Sequence, residues 1–254
     1  MCELFGLSSS RPLSGQELPL GEFRSRGGAT ADNPDGWGIA WRGEAGFHIA
    51  KEPVPACGSA HCESLIEALR SDLVIAHVRK AKFPPVNTLN NTHPFLRECC
   101  GRHWSFAHNG LVPEIVAMET SNQNRVCRPD GDTDSEFAFC HLLSHVTQHI
   151  DELGAATDWL AVLGAVSDLI AERGKFNFLL SDGDYLIAYG HDRLHYLESS
   201  GDPDDVALIA TEPLSGDAAW IPFAPGELRI YRAGRRAGRI AAPVPRIDSE
   251  RTQA

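Results

Sequence analysis

The stretch MCELFGL, residues 1–7, sets a cysteine directly behind the initiator methionine, at the front of an apolar run that reads as a β-strand. A side chain as small as that of Cys2 permits removal of Met1, and Cys2 then carries a free α-amino group. Such an amine has a pKa of about 7.7 to 8.0, so near neutral pH part of it is unprotonated and can take the proton of the adjacent thiol. Nucleophile and base then share one residue. The plain alternative is a small buried hydrophobe at a chain end.

Outward from this strand, a second strand-like run at 37–41 follows RSRGGATADNPDGWG (24–38), whose Gly, Asn, Asp and Pro belong to turns. The Gly-rich part, 26–38, is placed to act as a lid. FHIAK (47–51) pairs with 37–41 as a hairpin through RGEAG, and CESLIEALRS (62–71) has the spacing of a short helix. LVIAHVRKA (73–81) and HWSFAHNG (103–110) are strands that end in polar residues, which suggests one shared edge. In DTDSEFAFCHLLSHVTQHI (132–150), Thr133 and Glu136 form a capping box that puts Asp134 in the first helical turn. Phe139, Leu143, Val146 and Ile150 trace that helix's apolar stripe. A second helix, 158–174, ends at Gly174, and the remainder is β, including a hairpin turning at Asp182-Gly183. Strands, then two helices, then more strands predict an α+β protein with antiparallel sheet. One domain, 1–254, is the economical reading, with 240–254 a loosely ordered tail.

The composition is that of a globular, enzyme-sized protein: 254 residues, 43% hydrophobic and 22% charged. A net charge of -11 argues against a nucleic-acid partner, which needs clustered cations. The basic run RIYRAGRRAGR (229–239) reads as a solvated terminal strand. No apolar run is long enough to span a membrane and no signal peptide precedes the first strand, so a cytoplasmic location without membrane partners is expected. The seven cysteines form an odd set without a CxxC pair, which does not read as a disulfide framework and fits a reducing compartment.

Three further positions complement Cys2. Asn109 offers a side-chain NH2 and Gly110 a backbone N–H unshielded by a Cβ, two donors suited to a developing oxyanion. Arg79 offers a planar fork for a carboxylate, and Asp134 an anion for an ammonium. A ligand bearing both groups is an α-amino acid.

MCELFGL, RGG…DGWGIAW, AHVRKA, NNTHPF, AHNG and GDTDSE occur in this order, and the set resembles the class II, N-terminal nucleophile, glutamine amidotransferases, in particular stand-alone bacterial members. The resemblance covers almost the whole chain. It implies an αββα sandwich of two antiparallel sheets between helical layers, with Cys2 as nucleophile and Asn109 and Gly110 as the oxyanion hole. Arg79 would hold the glutamine α-carboxylate and Asp134 the α-ammonium, while Arg26, Gly27, His77, Thr92 and His93 would line or adjoin the pocket. Glu3 and Leu4 stand where large synthases usually carry Gly and Ile. No synthase domain follows, so ammonia transfer would require an unidentified synthase subunit.

The implied reaction is hydrolysis of the glutamine γ-amide through a Cys2 thioester, without a cofactor. One alternative substrate is a γ-glutamyl sulfur metabolite of the ergothioneine-pathway type. A non-catalytic glutamine-binding module is the alternative from another class. No metal site is expected: His141, His145 and His149 lie opposite the apolar stripe and should face solvent, and the spacings of Cys57, His61, Cys62, Cys99, Cys100 and His103 match no common zinc pattern.

Overall fold

Period-two alternation of apolar side chains builds two antiparallel sheets that share one face. In the computed structural model, which describes residues 2–44, 46–82, 84–153, 158–201, 204–214, 216 and 220–241, β1 (Glu3–Ser14) leads to α1 (Leu20–Ser25) and the hairpin β2 (Gly36–Gly43) and β3 (Gly46–Glu52). Next come α2 (Ala60–Ala68), β4 (Arg70–Arg79), and the hairpin β5 (Phe95–Cys99) and β6 (Arg102–Leu111). Three helices follow: α3 (Ile115–Ser121), α4 (Asp134–Leu153) and α5 (Asp158–Ala171). The chain then returns to β structure with β7 (Lys175–Ser181), β8 (Leu186–Gly190), β9 (His195–Ser199), β10 (Val206–Ala210), β11 (Ile221–Pro222), β12 (Glu227–Arg232) and β13 (Arg235–Ile240).

One sheet has the order β11-β9-β10-β1-β4-β2-β3 and the other β13-β12-β8-β7-β6-β5. Alternate residues of each strand go to different cores. Leu4, Ile75, Ala107, Leu179, Leu186 and Ile209 pack between the sheets. Phe5, Leu7, Val74, Ala76 and Val78 face α1 and α2 through Leu20, Phe23, Cys62 and Ile66. Phe106, Phe178, Leu180 and Ile187 face α4 and α5 through Phe139, Leu143, Val146, Trp159 and Leu163. The result is four layers, helix–sheet–sheet–helix, as expected. The sheets approach closely over β1, where a Cβ at Gly6 would lie 3.0 Å from Leu179 Cδ1 and 3.2 Å from Leu186 Cδ2.

Several expectations need correction. The sequence reading passed over α1, β5 and α3, which are short and lack a strong period. α3 has a consequence: it covers one side of α4, so His141 does not face solvent. His141 is buried, its Nδ1 2.9 Å from Glu119 Oε2 of α3. His145 is half-buried with its Nδ1 2.9 Å from the His141 carbonyl oxygen, and the side chain of His149 lies outside the described residues. Cys127 and Cys140 form a disulfide, with Cα atoms 5.6 Å apart, because the loop before α4 folds back over the buried Cys140. This one bridge is a local tie, which the reading of the cysteines as no disulfide framework did not foresee.

The basic run is only partly solvated. Arg229 of β12 is buried, donates to Glu227 and Glu198 at 2.9 Å each, and stacks 3.4 Å above the Tyr196 ring. At the start of α4, Thr133 Oγ1 accepts from Glu136 N at 3.3 Å, the first half of the capping box. The Glu136 carboxylate reaches past the cap instead, accepting from Asp130 N and Gly131 N at 3.0 and 2.8 Å and pairing with Arg97 of β5. Of the expected tail, Ile240 closes β13 and residues 242–254 lie outside the described residues.

Candidate active site

The register of the strands brings the chemically loaded ends together. Glu3 pairs with Val78, so Cys2 stands beside Arg79, the last residue of β4. Leu4 packs between the sheets, and by the two-residue period Cys2 lies on the same inner face. Ala107 and Ile209 are also inner-face residues, which puts Asn109 and Thr211 on the inner face two residues further along. Asn109 Nδ2 donates to the Cys2 carbonyl oxygen at 2.5 Å and to Thr211 Oγ1 at 3.2 Å. Thr211 Oγ1 also accepts from Leu4 N at 2.9 Å, so one hydroxyl ties the oxyanion-hole candidate to the strand behind the cysteine.

The Cys2 thiol is bracketed by the backbone of one residue. Lys80 N–H donates to Sγ at 3.2 Å, and Sγ–H donates to the Lys80 carbonyl at 3.3 Å. Burial pushes the thiol above its ordinary pKa, with the Lys80 N–H and the Arg79 charge pulling the other way. A thiol held neutral in this way needs a base to become a nucleophile.

The nearby imidazoles are poor candidates for that base or for an acid at neutral pH. His77 Nε2 and His93 Nδ1 are 3.2 Å apart. Burial, reinforced by Arg79 and His108, pulls His77 down to about 3, and burial beside His77 takes His93 well below its usual value. His108 is lowered by burial too, with Asp134 opposing, and its Nδ1 is 2.8 Å from Ser135 Oγ. All three are neutral near pH 7; the His77–His93 contact joins β4 to the loop before β5, and His108 joins β6 to α4 and to the Lys175 carbonyl of β7.

Arg79 is buried, and desolvation lowers its pKa while Cys2, Asp35 and Asp132 oppose the shift. The guanidinium stays charged, since its ordinary value lies far above neutrality. Asp134 Oδ2 accepts from Val112 N at 2.6 Å, and Oδ1 accepts from Ser135 N at 2.9 Å and Ser135 Oγ at 3.5 Å, which leaves a lone pair on Oδ2 for a ligand. Gly110, at φ +155°, could not be another residue: a Cβ there would fall 1.8 Å from the Lys175 carbonyl oxygen.

The remaining candidates are buried or tied to their neighbours. The Arg26 guanidinium is engaged by Glu3 Oε2 at 2.9 Å, Glu22 Oε1 at 3.2 Å and the Pro213 carbonyl at 2.7 Å. Gly27 packs against Ala56, whose Cβ would lie 2.5 Å from a Cβ added to the glycine. Thr92 and His93 are buried, and Lys51 Nζ holds the Thr92 carbonyl at 2.7 Å. Burial pulls the Lys51 amine down to about 8. The run 26–38, read as a lid, is largely built into the structure, with Gly27, Asn33 and Asp35 buried and Gly36–Gly38 within β2.

Sequence reading missed Thr211, Asn177, Asp35 and Asn87. Asn177 Nδ2 holds the Asn109 carbonyl at 3.1 Å, and its Oδ1 accepts from the His191 and Asp192 amides. A usable signal existed for Thr211, which ends an apolar strand as Asn109 does. None existed for Asn87, which lies in an irregular segment.

Two stacked antiparallel sheets between helical layers, with a cysteine leading the central strand β1 into the gap between them, define an N-terminal nucleophile hydrolase fold. The family model for glutamine amidotransferases class-II matches residues 1–203 and 197–254, and the chain belongs to that family of enzymes acting on small molecules. A relative from Escherichia coli (strain K12) named "Putative glutamine amidotransferase YafJ" is 36% identical over 259 residues, spanning 93% of this chain and 99% of YafJ. A solved structure of a predicted glutamine amidotransferase from Pseudomonas aeruginosa PA01 matches with a TM-score of 0.69 at 31% identity, covering 93% of this chain and 100% of that one. The gamma-glutamyl-hercynylcysteine sulfoxide hydrolase of Mycobacterium tuberculosis (strain H37Rv) is 30% identical over 190 residues, 74% of this chain and 71% of that protein.

Proposed function

We propose that the protein hydrolyses the γ-amide of glutamine through a covalent γ-glutamyl thioester on Cys2. The observation that carries this reading is the 2.5 Å approach of Asn109 Nδ2 to the carbonyl of Cys2 itself, at an inner-face edge shared with Arg79. Once Met1 is removed, the Cys2 amine takes the thiol proton and Sγ attacks the δ-carbonyl carbon. Asn109 Nδ2 exchanges one of its two present bonds for the oxyanion, with the Gly110 N–H as second donor. Arg79 grips the α-carboxylate and Asp134 the α-ammonium. The Cys2 ammonium returns its proton to the leaving nitrogen, ammonia departs, and water attacks the thioester to give glutamate and the free thiol. Arg26, Gly27, His77, Thr92 and His93 shape the pocket walls. The setting of this reading is the cytoplasm.

A second reading keeps every step and changes the leaving amine. The likeness to the Mycobacterium tuberculosis hydrolase favours it, because that protein's name specifies a γ-glutamyl conjugate. Purified protein with mature Cys2, assayed side by side on glutamine and on γ-glutamyl amines, separates the two. Ammonia release from glutamine at kcat/KM at least equal to that on the conjugates is expected; turnover of the conjugates alone would replace glutamine as substrate, and turnover of neither would end the proposal.

Thr211 gives a finer check. Thr211→Val leaves the Asn109 amide and Leu4 N–H without their shared acceptor, and kcat should fall about tenfold, the scale of one buried hydrogen bond. Thr211→Ser should restore most of it. Equal losses in both variants would mean that the methyl group's packing, and not the hydroxyl, matters.

A further inference from the structure

A chain of hydrogen bonds behind Arg79 ends on a buried carboxylate that the reaction above does not use. Arg79 Nη1 donates to Asn87 Oδ1 at 2.9 Å, and Asn87 Nδ2 donates to Asp35 Oδ1 at 3.2 Å. The other oxygen of Asp35 accepts from Ala81 N at 2.8 Å, and Asp35 N donates to the Arg79 carbonyl at 3.0 Å. Asp35 is 8% exposed and Arg79 7%. Between Arg79 and Ala81 lies Lys80, whose N–H and carbonyl bracket the Cys2 thiol.

We infer that Asp35 is a positioning residue that sets two parts of the site together: through Asn87 it orients the Arg79 guanidinium, and through Ala81 it fixes the Lys80 peptide against Cys2 Sγ. The inference rests on the reading of Arg79 as the α-carboxylate ligand. The order of groups has a chemical reason. A carboxylate touching Arg79 directly would neutralise it and compete with a ligand carboxylate for the same fork of donors. The neutral Asn87 amide holds one edge of the guanidinium without cancelling its charge, and keeps the Asp35 charge one residue further back. An isosteric amide at position 35 cannot reproduce the arrangement, because Asp35 accepts on both oxygens and an amide has only one acceptor atom.

The test uses the full chain with mature Cys2, glutamine, and glutamine α-methyl ester, which lacks the carboxylate that Arg79 would hold. Asn87→Asp, on an exposed segment, places a carboxylate directly against Arg79. KM for glutamine should rise about tenfold, the worth of one charge-assisted contact, while kcat and the kinetics on the ester stay within twofold. Asp35→Asn should raise KM for glutamine similarly. It should also slow alkylation of Cys2 by iodoacetamide at pH 7, followed on the Cys2 peptide by mass spectrometry, by about threefold or more, because the Lys80 backbone, whose N–H donates to sulfur, loses its anchor at Ala81.

Equal losses on both substrates in Asn87→Asp, or an unchanged or faster alkylation in Asp35→Asn, overturn the inference. Should the wild type turn over neither substrate, the reading of the reaction fails by itself, and the alkylation rates still decide whether Asp35 controls the thiol. Thermal unfolding within a few degrees of wild type identifies folded variants.

Discussion

Replacing Cys2 by alanine is expected to lower glutamine hydrolysis by at least about 10⁴-fold, with the fold intact. Removing a covalent nucleophile elsewhere costs about as much as removing the whole catalytic group, because no other residue can form the acyl intermediate. Among the described residues around the site the three imidazoles are held neutral by burial, and none offers a substitute nucleophile. Among the described residues the thiol's hydrogen bonds are to the Lys80 N–H and carbonyl, and the substitution removes a single sulfur atom. Ammonia release measured on Cys2→Ala, with thermal unfolding as control, decides the point; turnover near that of the wild type would remove Cys2 from the mechanism.

The same logic extends to the amine. An acylated nitrogen cannot accept a proton, so protein that keeps Met1, or a tag ahead of Cys2, should be as inactive as the alanine variant. Processed enzyme should gain kcat/KM as pH rises toward about 8. The sign follows from the protonation state: below its pKa the amine is an ammonium and cannot take the thiol proton, and above it the base is available.

Asn109→Ala is expected to lower kcat about 10²- to 10³-fold with little change in KM, the usual cost of one oxyanion-hole donor. The Asn109 amide binds charge that exists only when the carbonyl becomes tetrahedral, so ground-state affinity depends instead on Arg79 and Asp134. The strand around Asn109 should survive the change, since Asn177 holds the Asn109 backbone carbonyl, which alanine retains. A large rise in KM with kcat preserved would assign Asn109 to substrate binding and require another source for oxyanion stabilisation.

Much of this arrangement was legible in particular residues. Asn109-Gly110 and Arg79 end apolar alternating strands, and polar groups at strand ends commonly meet at one edge. Thr133 and Glu136 marked the start of α4 and with it the place of Asp134. The histidines of α4 misled, because helical periodicity assigns a face but not what covers it. His141 is buried by α3, a seven-residue helix too short to show a period. The Cys127–Cys140 bridge was hidden for a related reason: its spacing of 13 residues crosses an irregular loop whose return path depends on α4.

By itself the sequence determined most of the strands, the two long helices, the α+β class and the reactive types at their ends, because each follows from local alternation, capping or turn chemistry. Tertiary structure alone decided the rest: that Thr211 and Asn177 hold Asn109, that Asn87 and Asp35 stand behind Arg79, and that Arg26 is tied to Glu3. Those contacts join residues as many as 102 positions apart, as between Asn109 and Thr211. Such pairings are set by which strands become neighbours and in which register, and both depend on how the two sheets and their helices bury their apolar faces together.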